Sequence, residues 1–182
     1  LDKSVRTIID QVDAMKRLVN EFRDYARLPA AELRPLDLNQ LVADVLQLYG
    51  EETAAVPVTS EPDPTCPPIM GDAHQLRQVI HNLLQNAQRY APGGVDLEVE
   101  LAPTLCRIGV LDRGPGIATN QLEAVFEPFF RLDASRSPIT GGSGLGLAIV
   151  RELARVNGWQ VSLRSRDGGG LQAWIELPVA NA

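Results

Sequence analysis

The sequence has few residues of several types that carry specialised chemistry. It holds two cysteines, two histidines and two methionines among 182 residues, and aromatic residues make up 5%. Cys66 and Cys106 are far apart and lack the short spacing of a metal-binding pair. We therefore expect both cysteines to be free thiols in a reducing, cytosolic compartment.

The sequence also lacks long apolar runs and an excess of basic charge. No run approaches the roughly 18 residues of a membrane-spanning helix, and we expect no signal peptide. A net charge of −6 argues against a nucleic-acid-binding surface, which is usually basic. A nucleotide ligand remains compatible with this charge, because it needs only a local positive site. With 45% hydrophobic and 22% charged residues, the chain is typical of a globular domain.

The first 28 residues carry apolar side chains at every third or fourth position, which predicts one long helix that ends before Pro29. At about 1.5 Å per residue this helix is roughly 42 Å long. It either packs on its own domain or forms one arm of a helical bundle, and its length favours the bundle. Because the pattern is already present at residue 1, we expect the chain to be part of a longer protein. The stripe consists of Val5, Ile8, Ile9, Val12, Met15, Leu18, Val19, Phe22 and Tyr25.

After a predicted linker over 29–36, residues 37–182 have the pattern of an α+β domain. Asp37 is the expected N-cap of a helix that ends before Gly50. The patterns predict a two-layer α/β sandwich, in which three helices cover one side of a mixed or antiparallel sheet. The other elements are strands near 56–60 and 69–70, a helix over 72–90, strands over 95–101 and 106–112, a helix that starts within 141–150, and a hairpin of 159–165 and 171–177 around "RDGGG".

Within the predicted helix over 72–90, three polar residues share the face opposite the leucines. Asn82 and Asn86 are four residues apart, and Arg89 follows about one turn later. An asparagine carbonyl suits Mg²⁺, which takes few protein ligands and otherwise keeps water and phosphate oxygens. This stripe fits a site for a cation and phosphates, although an ordinary solvated helix surface has the same pattern.

Two segments in the middle of the chain also fit a ligand site. "VLDRGPGIA" ends a strand with Asp112, whose burial requires hydrogen-bond donors, and its glycines allow a ligand to approach the backbone. Alone, this pattern also fits an ordinary turn. "FEPFFR" places three phenylalanines within 126–130, as a small satellite core or as an anchor for a mobile loop. The polar residues 131–140 have the character of a lid over a nucleotide.

"GGSGLGLAIV", residues 141–150, joins four glycines to an apolar helical run. Either a tight turn or a bound polyanion explains so many glycines. Main-chain N–H groups at a helix N-terminus form an anion site together with the positive end of the helix dipole, so the helix favours the polyanion. The segment matches neither a P-loop nor a Rossmann turn.

Taken together and in this order, the four motifs resemble the catalytic ATP-binding domain of sensor histidine kinases, in the superfamily of DNA gyrase, a heat-shock chaperone and MutL. "HNLLQNAQRY" is similar to the N box, "DRGPGIA" to the first glycine box, "FEPFF" to the F box and "GGSGLGLAIV" to the second glycine box. The resemblance covers about residues 37–178. It implies the Bergerat ATP-binding fold, with ATP and Mg²⁺ as cofactors.

The resemblance also implies roles for individual residues. Asn86 would coordinate Mg²⁺, Asn82 would support the metal and the phosphates, and Arg89 would contact phosphate, so these three form the expected catalytic set. Tyr90 would border the nucleotide, and Asp112 would accept a hydrogen bond from the adenine amino group. The other expected nucleotide-binding residues are Gly114, Gly116, Ile117, Phe129, Gly142, Ser143, Gly144, Leu145, Gly146 and Leu147.

The long helix over 1–28 is similar to the second helix of the dimerisation and phosphoacceptor hairpin of these kinases. "VNEFRDYARLP" resembles the nitrogen-response branch, whereas "NAQRYAPGG" resembles the osmosensor-like branch. The resemblance implies transfer of the γ-phosphoryl group of MgATP to a histidine and relay to an aspartate of a response regulator receiver domain. It also implies a homodimer formed through the hairpin. The location would be cytoplasmic, as the cytosolic part of an inner-membrane sensor whose membrane anchor lies upstream.

The acceptor histidine of that hairpin is absent from the chain. Neither His74 nor His81 has the neighbouring acid, asparagine and proline, and His81 is expected on a different helix face from Asn82. We therefore expect packing or surface roles for both histidines and no autophosphorylation by the chain alone. In hydrolysing members of the superfamily a glutamate that activates water stands where this chain has Asn82, which favours phosphoryl transfer over hydrolysis. The alternatives are a silent module that binds ADP or a protein, and a chaperone-like or topoisomerase-like ATPase.

Overall fold

Four helices and seven strands make up the part of the chain that the computed structural model describes, which is residues 2–52, 57–91, 93–132 and 142–179. The helices are α1 (Asp2–Ala26), α2 (Leu38–Glu52), α3 (Ala73–Tyr90) and α4 (Gly146–Asn157). The strands are β1 (Arg34–Leu36), β2 (Val58–Glu61), β3 (Ile69–Gly71), β4 (Val95–Ala102), β5 (Leu105–Asp112), β6 (Gln160–Ser165) and β7 (Leu171–Pro178). Two short 3₁₀ turns, Thr119–Gln121 and Ala124–Phe126, lie between β5 and α4.

Five strands form one mixed sheet in the order β2-β4-β5-β7-β6. β2 pairs parallel with β4, and the other neighbours pair antiparallel. Along β4, Val95, Leu97 and Val99 are buried while the intervening acidic residues are partly exposed, because successive side chains point to opposite faces. The hairpin predicted around "RDGGG" joins β6 to β7. The predicted α+β sandwich with a mixed sheet is confirmed.

Helices α2, α3 and α4 contribute the apolar layer that packs on this sheet. α3 begins after its N-cap Asp72, whose Oδ1 accepts hydrogen bonds from the N–H groups of His74 (2.9 Å) and Gln75 (3.0 Å). Asp37 caps α2 in the same way, but α2 continues past Gly50, so its predicted end is too early. A glycine weakens a helix by only about 1 kcal/mol and need not end it. The predicted core face of α3 is buried: Leu76, Val79, Ile80, Leu83, Leu84 and Ala87.

A short strand occupies part of the predicted linker over 29–36. β1 pairs antiparallel with β3, with Arg34 opposite Gly71 and Leu36 opposite Ile69. Three residues that include a proline are too few to show strand alternation, and the pairing partner lies far along the chain. The sequence pattern therefore could not reveal β1.

Helix α1 packs on the domain only near its C-terminal end. Tyr25 and Leu28 are partly buried against the core, and the carbonyl of Pro29 accepts a hydrogen bond from Nε2 of Gln75 (2.9 Å). The remaining apolar stripe of α1 is solvent-exposed, from Val5 (48%) to Phe22 (50%). The predicted long helix is therefore present, with most of its apolar face uncovered in this chain.

Cys66 and Cys106 are joined by a disulfide, so the expectation of free thiols is wrong. The fold brings the loop before β3 across the start of β5, and the two Cα atoms lie 6.3 Å apart, within disulfide range. Asp63 fixes this loop, because its carboxylate accepts from the N–H of Leu101 (3.0 Å) and its main-chain N–H donates to Asn39 (3.1 Å). Sequence spacing alone cannot show such a long-range approach.

Candidate active site

A cavity of about 760 Å³ opens between the polar face of α3, the end of β5 and the glycine-rich start of α4. This volume lies in the usual range for small-molecule sites, about 300–1,000 Å³. The 3₁₀ turn that ends at Phe126 and the residues after it close another side. Four segments that the sequence analysis singled out thus meet at one cavity, which we call the cleft.

The polar stripe of α3 faces the cleft because its spacing follows the helix period. Asn82, Asn86 and Arg89 all line the cavity, and Leu83 and Leu84 of the same turns are buried in the core. The Nδ2 atom of Asn82 is buried and has no hydrogen-bond partner in the part of the chain that the structure describes. A buried amide donor without an acceptor is unfavourable, so this atom fits a ligand oxygen.

Asp112 ends β5 at the floor of the cleft and is 7% exposed. Its Oδ1 accepts hydrogen bonds from the N–H groups of Gly114 (2.8 Å) and Leu171 (3.1 Å). These two donors fix the orientation of the carboxylate and supply the hydrogen bonds that a buried carboxylate needs. The carboxylate is thus a rigid acceptor at a cavity wall.

The glycine-rich segment lies against both the α3 stripe and the phenylalanine segment. A Cβ at Gly142 would collide with the Arg89 guanidinium, and one at Gly144 would lie 2.8 Å from the Cα of Phe129. Gly144 also has a positive φ of 78°, and its carbonyl accepts a hydrogen bond from the N–H of Phe129 (2.9 Å). A side chain at Gly144 is therefore excluded by the Phe129 backbone, whereas one at Gly142 would displace the Arg89 guanidinium. The two glycines leave main-chain groups exposed at the start of α4.

The structure brings most of the predicted nucleotide-binding residues to the cleft. Gly114, Phe129 and Leu145 do not line it. Gly114 lies beside Asp112, Phe129 is 54% exposed, and Leu145 is fully buried in the core where α4 begins. The predicted residues that line the cavity are Asn82, Asn86, Arg89, Tyr90, Asp112, Gly116, Ile117, Gly142, Ser143, Gly144, Gly146 and Leu147.

Several lining residues were missed by the sequence reasoning. Gln78 and Gln85 extend the Asn82 stripe at helical spacing and could have been found by the same periodicity. Glu21 and Leu171 reach the cleft from α1 and β7, and no local signal identifies them. The others are Gln88, Pro115, Val125 and Ile149, whereas Phe130, Arg131 and Leu132 belong to the predicted phenylalanine and lid segments.

His81 also lines the cleft, although it was expected on a different helix face from Asn82. Adjacent helix residues diverge by only about 100°, so a wide cavity can reach both. The residue is exposed overall, and partial burial of its imidazole lowers its pKa. His74 is exposed and lies outside the cleft lining.

Charges of both signs line the cleft. Arg89 and Arg131 contribute guanidinium groups, and Glu21 of α1 contributes a carboxylate. Oε2 of Glu21 accepts a hydrogen bond from the hydroxyl of Ser143, and that hydroxyl oxygen accepts from the N–H of Leu145 (3.1 Å). Helix α1 is therefore connected directly to the glycine-rich segment.

The three phenylalanines of "FEPFFR" differ in how deeply they are buried. Phe126 is buried, Phe130 is partly buried against the core, and Phe129 is exposed. Arg151 of α4 lies over the ring of Phe126 at 5.5 Å and pairs with Glu127 (2.7 Å), which ties this segment to α4. Apart from residues 131 and 132, the predicted lid over 131–140 lies outside the described residues.

The comparisons with known proteins agree on one family. Residues 71–181 match the family described as "Histidine kinase-, DNA gyrase B-, and HSP90-like ATPase". The sensor-like histidine kinase SenX3 of Mycolicibacterium smegmatis is 34% identical over 169 residues, which span 88% of this chain and 44% of that protein. This chain therefore spans less than half of the length of that relative.

Two solved structures are similar over nearly the whole chain. Full-length ShkA in complex with AMPPNP has a TM-score of 0.80 at 31% identity, over 100% of this chain and 39% of that one. The histidine kinase ThkA in complex with the response regulator protein TrrA has a TM-score of 0.79 at 24% identity, over 98% of this chain and 51% of that one. Among the described residues, no helix combines the length and apolar character that crossing a bilayer requires.

Proposed function

This chain belongs to the histidine kinase-, DNA gyrase B- and HSP90-like ATPase family and contains the ATP-binding catalytic domain of a sensor histidine kinase. From this premise we propose how its residues bind MgATP and take part in phosphoryl transfer. The cleft carries the proposal. One cavity is lined by an amide stripe, a fixed buried carboxylate and a glycine-rich helix start. The amides suit a metal ion, the carboxylate suits the amino group of adenine, and the helix start suits a polyphosphate.

Asp112 recognises adenine in this proposal. Its Oδ1 is engaged by two main-chain N–H groups, so Oδ2 is the oxygen that accepts from the exocyclic amino group of the base. Guanine carries a carbonyl oxygen at the equivalent position, which a carboxylate repels. Gly116, Ile117 and Tyr90 line the cleft near this end and border the base.

The polar face of α3 and the start of α4 bind the metal and the phosphates. Asn86 supplies a neutral oxygen ligand to Mg²⁺, and the orphaned Nδ2 of Asn82 donates to a phosphate oxygen. The described residues contain no group of three or more His, Cys, Asp or Glu that could hold a metal. A site with so few protein ligands suits Mg²⁺ bound mainly by phosphate and water.

Phosphoryl transfer to an imported nucleophile follows from the groups around the phosphates. Mg²⁺, when bound, neutralises charge on the phosphate oxygens. Arg89 and the main-chain N–H groups after Gly142 bind the same oxygens and orient the terminal phosphate. The side chain of Asn82 cannot deprotonate water at neutral pH, so the position that holds the catalytic glutamate in hydrolysing relatives carries no base, which favours a histidine from another segment as the nucleophile.

The partners in this proposal are a second copy of the full-length protein and a response regulator. The exposed apolar stripe of α1 supports dimerisation through a helical bundle, because such a stripe is usually buried. The ThkA complex with TrrA supports a response regulator receiver domain as the next phosphoryl acceptor. We propose a cytoplasmic position for this domain, with any membrane anchor in other segments of the full-length protein.

Asn86→Ala tests the metal assignment. We expect the variant to keep its thermal unfolding temperature and to lose the part of its ATP affinity that depends on Mg²⁺, because Asn86 lies on the polar face of α3. Calorimetric titration with ATP, with and without Mg²⁺, measures this difference. His74→Ala, on the same helix but outside the cleft lining, is the matched control and should bind as the parent does. Unchanged MgATP affinity in Asn86→Ala would show that the metal assignment is wrong.

A further inference from the structure

The turn between β6 and β7 packs directly on the backbone of Asp112. This turn, residues 166–170, is closed by hydrogen bonds from the N–H of Arg166 to the carbonyl of Gly170 (3.1 Å) and from the N–H of Gly169 to the carbonyl of Arg166 (3.1 Å). A Cβ at Gly170 would collide with the carbonyl oxygen of Asp112. Gly170 therefore allows a close approach that a side chain at this position would prevent.

Both ends of this turn donate hydrogen bonds to Asp112. Nη1 of Arg166 donates to the main-chain carbonyl of Asp112 at 3.3 Å. The N–H of Leu171 donates to the carboxylate oxygen Oδ1 of the same residue at 3.1 Å. The turn thus holds both the main chain and the side chain of Asp112, and its carboxylate cannot rotate without breaking the bond from the Leu171 N–H.

The position of Arg166 is itself fixed by Asp96 on the neighbouring strand β4. Nη2 of Arg166 donates to Oδ2 of Asp96 at 2.8 Å, and both side chains are largely buried, at 20% and 15% exposed. Asp96 also accepts from Thr59 (2.9 Å) and from Arg113 (2.7 Å). A guanidinium that bridges two acceptors in this way has little freedom, because Nη1 and Nη2 each hold a different partner.

We propose that Arg166 is a positioning residue for adenine selectivity, which holds Asp112 in the orientation that accepts from the adenine amino group. This inference rests on the proposed function, in which Asp112 reads the base. The side chain of Arg166 does not line the cleft. It acts through the Asp112 carbonyl and through the turn that presents the Leu171 N–H.

The test compares Arg166→Ala with Arg113→Ala. Arg113 pairs with the same Asp96 carboxylate, and no hydrogen bond of its side chain to Asp112 is present among the described contacts, so it controls for loss of an ion pair. Calorimetry gives the affinities of parent and variants for ATP and GTP, and thermal unfolding reports the fold. We expect Arg166→Ala to lose about three- to tenfold in ATP affinity, the range of one hydrogen bond, with little change for GTP. Arg113→Ala should keep the parent ratio of ATP to GTP affinity.

Arg166→Lys serves as the second variant and still tests the proposal if Arg166→Ala does not fold. It retains a positive charge beside Asp96 but lacks the two-pronged guanidinium, so we expect a folded protein with reduced selectivity for ATP. A parent-like ATP to GTP ratio in the folded Arg166 variants, or an equal loss in Arg113→Ala, would overturn the positioning role. A parent protein without any preference for ATP would instead overturn the role of Asp112, so the two failures are distinguishable.

Discussion

The carboxylate of Asp112 cannot be replaced by an amide without reversing a hydrogen bond. Its Oδ1 faces two N–H donors, those of Gly114 and Leu171. An amide would have to keep its oxygen there, and its NH₂ group would then face the adenine amino group. Asp112→Asn should therefore retain the fold and lose about ten- to hundredfold in ATP affinity, the range of a charge-assisted hydrogen bond.

Calorimetric titration and thermal unfolding of the parent and Asp112→Asn measure the two quantities. A retained unfolding temperature with weakened ATP binding identifies a ligand contact. An equal loss of ATP and GTP affinity in the variant would contradict selective adenine recognition by Asp112.

Individual site residues were predictable where a local period or a strand end identified them. Asn82 and Asn86 followed from helical spacing, and Asp112 followed from a charge at the end of an apolar strand. The side chain of Leu145 is fully buried, which the sequence did not reveal, because proximity to the glycines says nothing about which side of the chain faces the core. Glu21 reaches the cleft through tertiary packing of α1, which no local pattern encodes.

At the scale of elements, the N-cap Asp72 joins α3 to the segment before β1. Its Oδ1 accepts from the N–H groups of His74 and Gln75, and its Oδ2 accepts from the N–H of Glu32 (2.8 Å). Burial raises the pKa of Asp72, but these hydrogen bonds and the nearby His74 outweigh burial and hold the pKa below its ordinary value. Asp72→Ala should therefore lower the free energy of unfolding at pH 7 by about 1–3 kcal/mol.

The effect of Asp72→Ala should depend on pH. A carboxylate with a lowered pKa in the folded state stabilises the protein fully above the ordinary aspartate value of about 4. This stabilisation disappears as the pH falls through the lower pKa of the folded state. Denaturant unfolding at pH 7 and pH 3 should thus show a smaller difference between parent and variant at pH 3. Asp37→Ala, which removes an exposed cap of α2, is the control with a smaller expected effect at pH 7. Equal differences at both pH values would contradict the assignment.

At the scale of the whole molecule, the sequence predicted the sheet and its helical layer but not the contacts between distant segments. The alternation of apolar and polar residues in β4 and the helical spacing of apolar residues in α3 are local patterns, and the burial of these side chains in the folded protein follows them. The pairing of β1 with β3, the disulfide between Cys66 and Cys106, and the contact of α1 with Ser143 each join segments far apart in the chain. Such contacts depend on the complete packing, so neither composition nor spacing indicates them.

This chain alone should bind MgATP and yet not label itself with γ-labelled ATP. Transfer requires a nucleophile held in line with the leaving oxygen. His74 lies outside the cleft. His81 lines it beside Asn82, the residue proposed to support the phosphates, and we expect its imidazole to lie out of line with the leaving oxygen.

Incubation with γ-labelled ATP, with and without a separate fragment that carries a complete phosphoacceptor hairpin, measures this outcome. We expect label only on the added fragment, as acid-labile phosphohistidine, and none on a fragment whose acceptor histidine is replaced. The apolar stripe of α1 from Val5 to Phe22 is exposed and available to pack on the added hairpin, which brings its histidine to the cleft. Labelling of the isolated chain that His81→Ala abolishes would contradict the positional reason, and rapid release of free phosphate would instead identify a hydrolase.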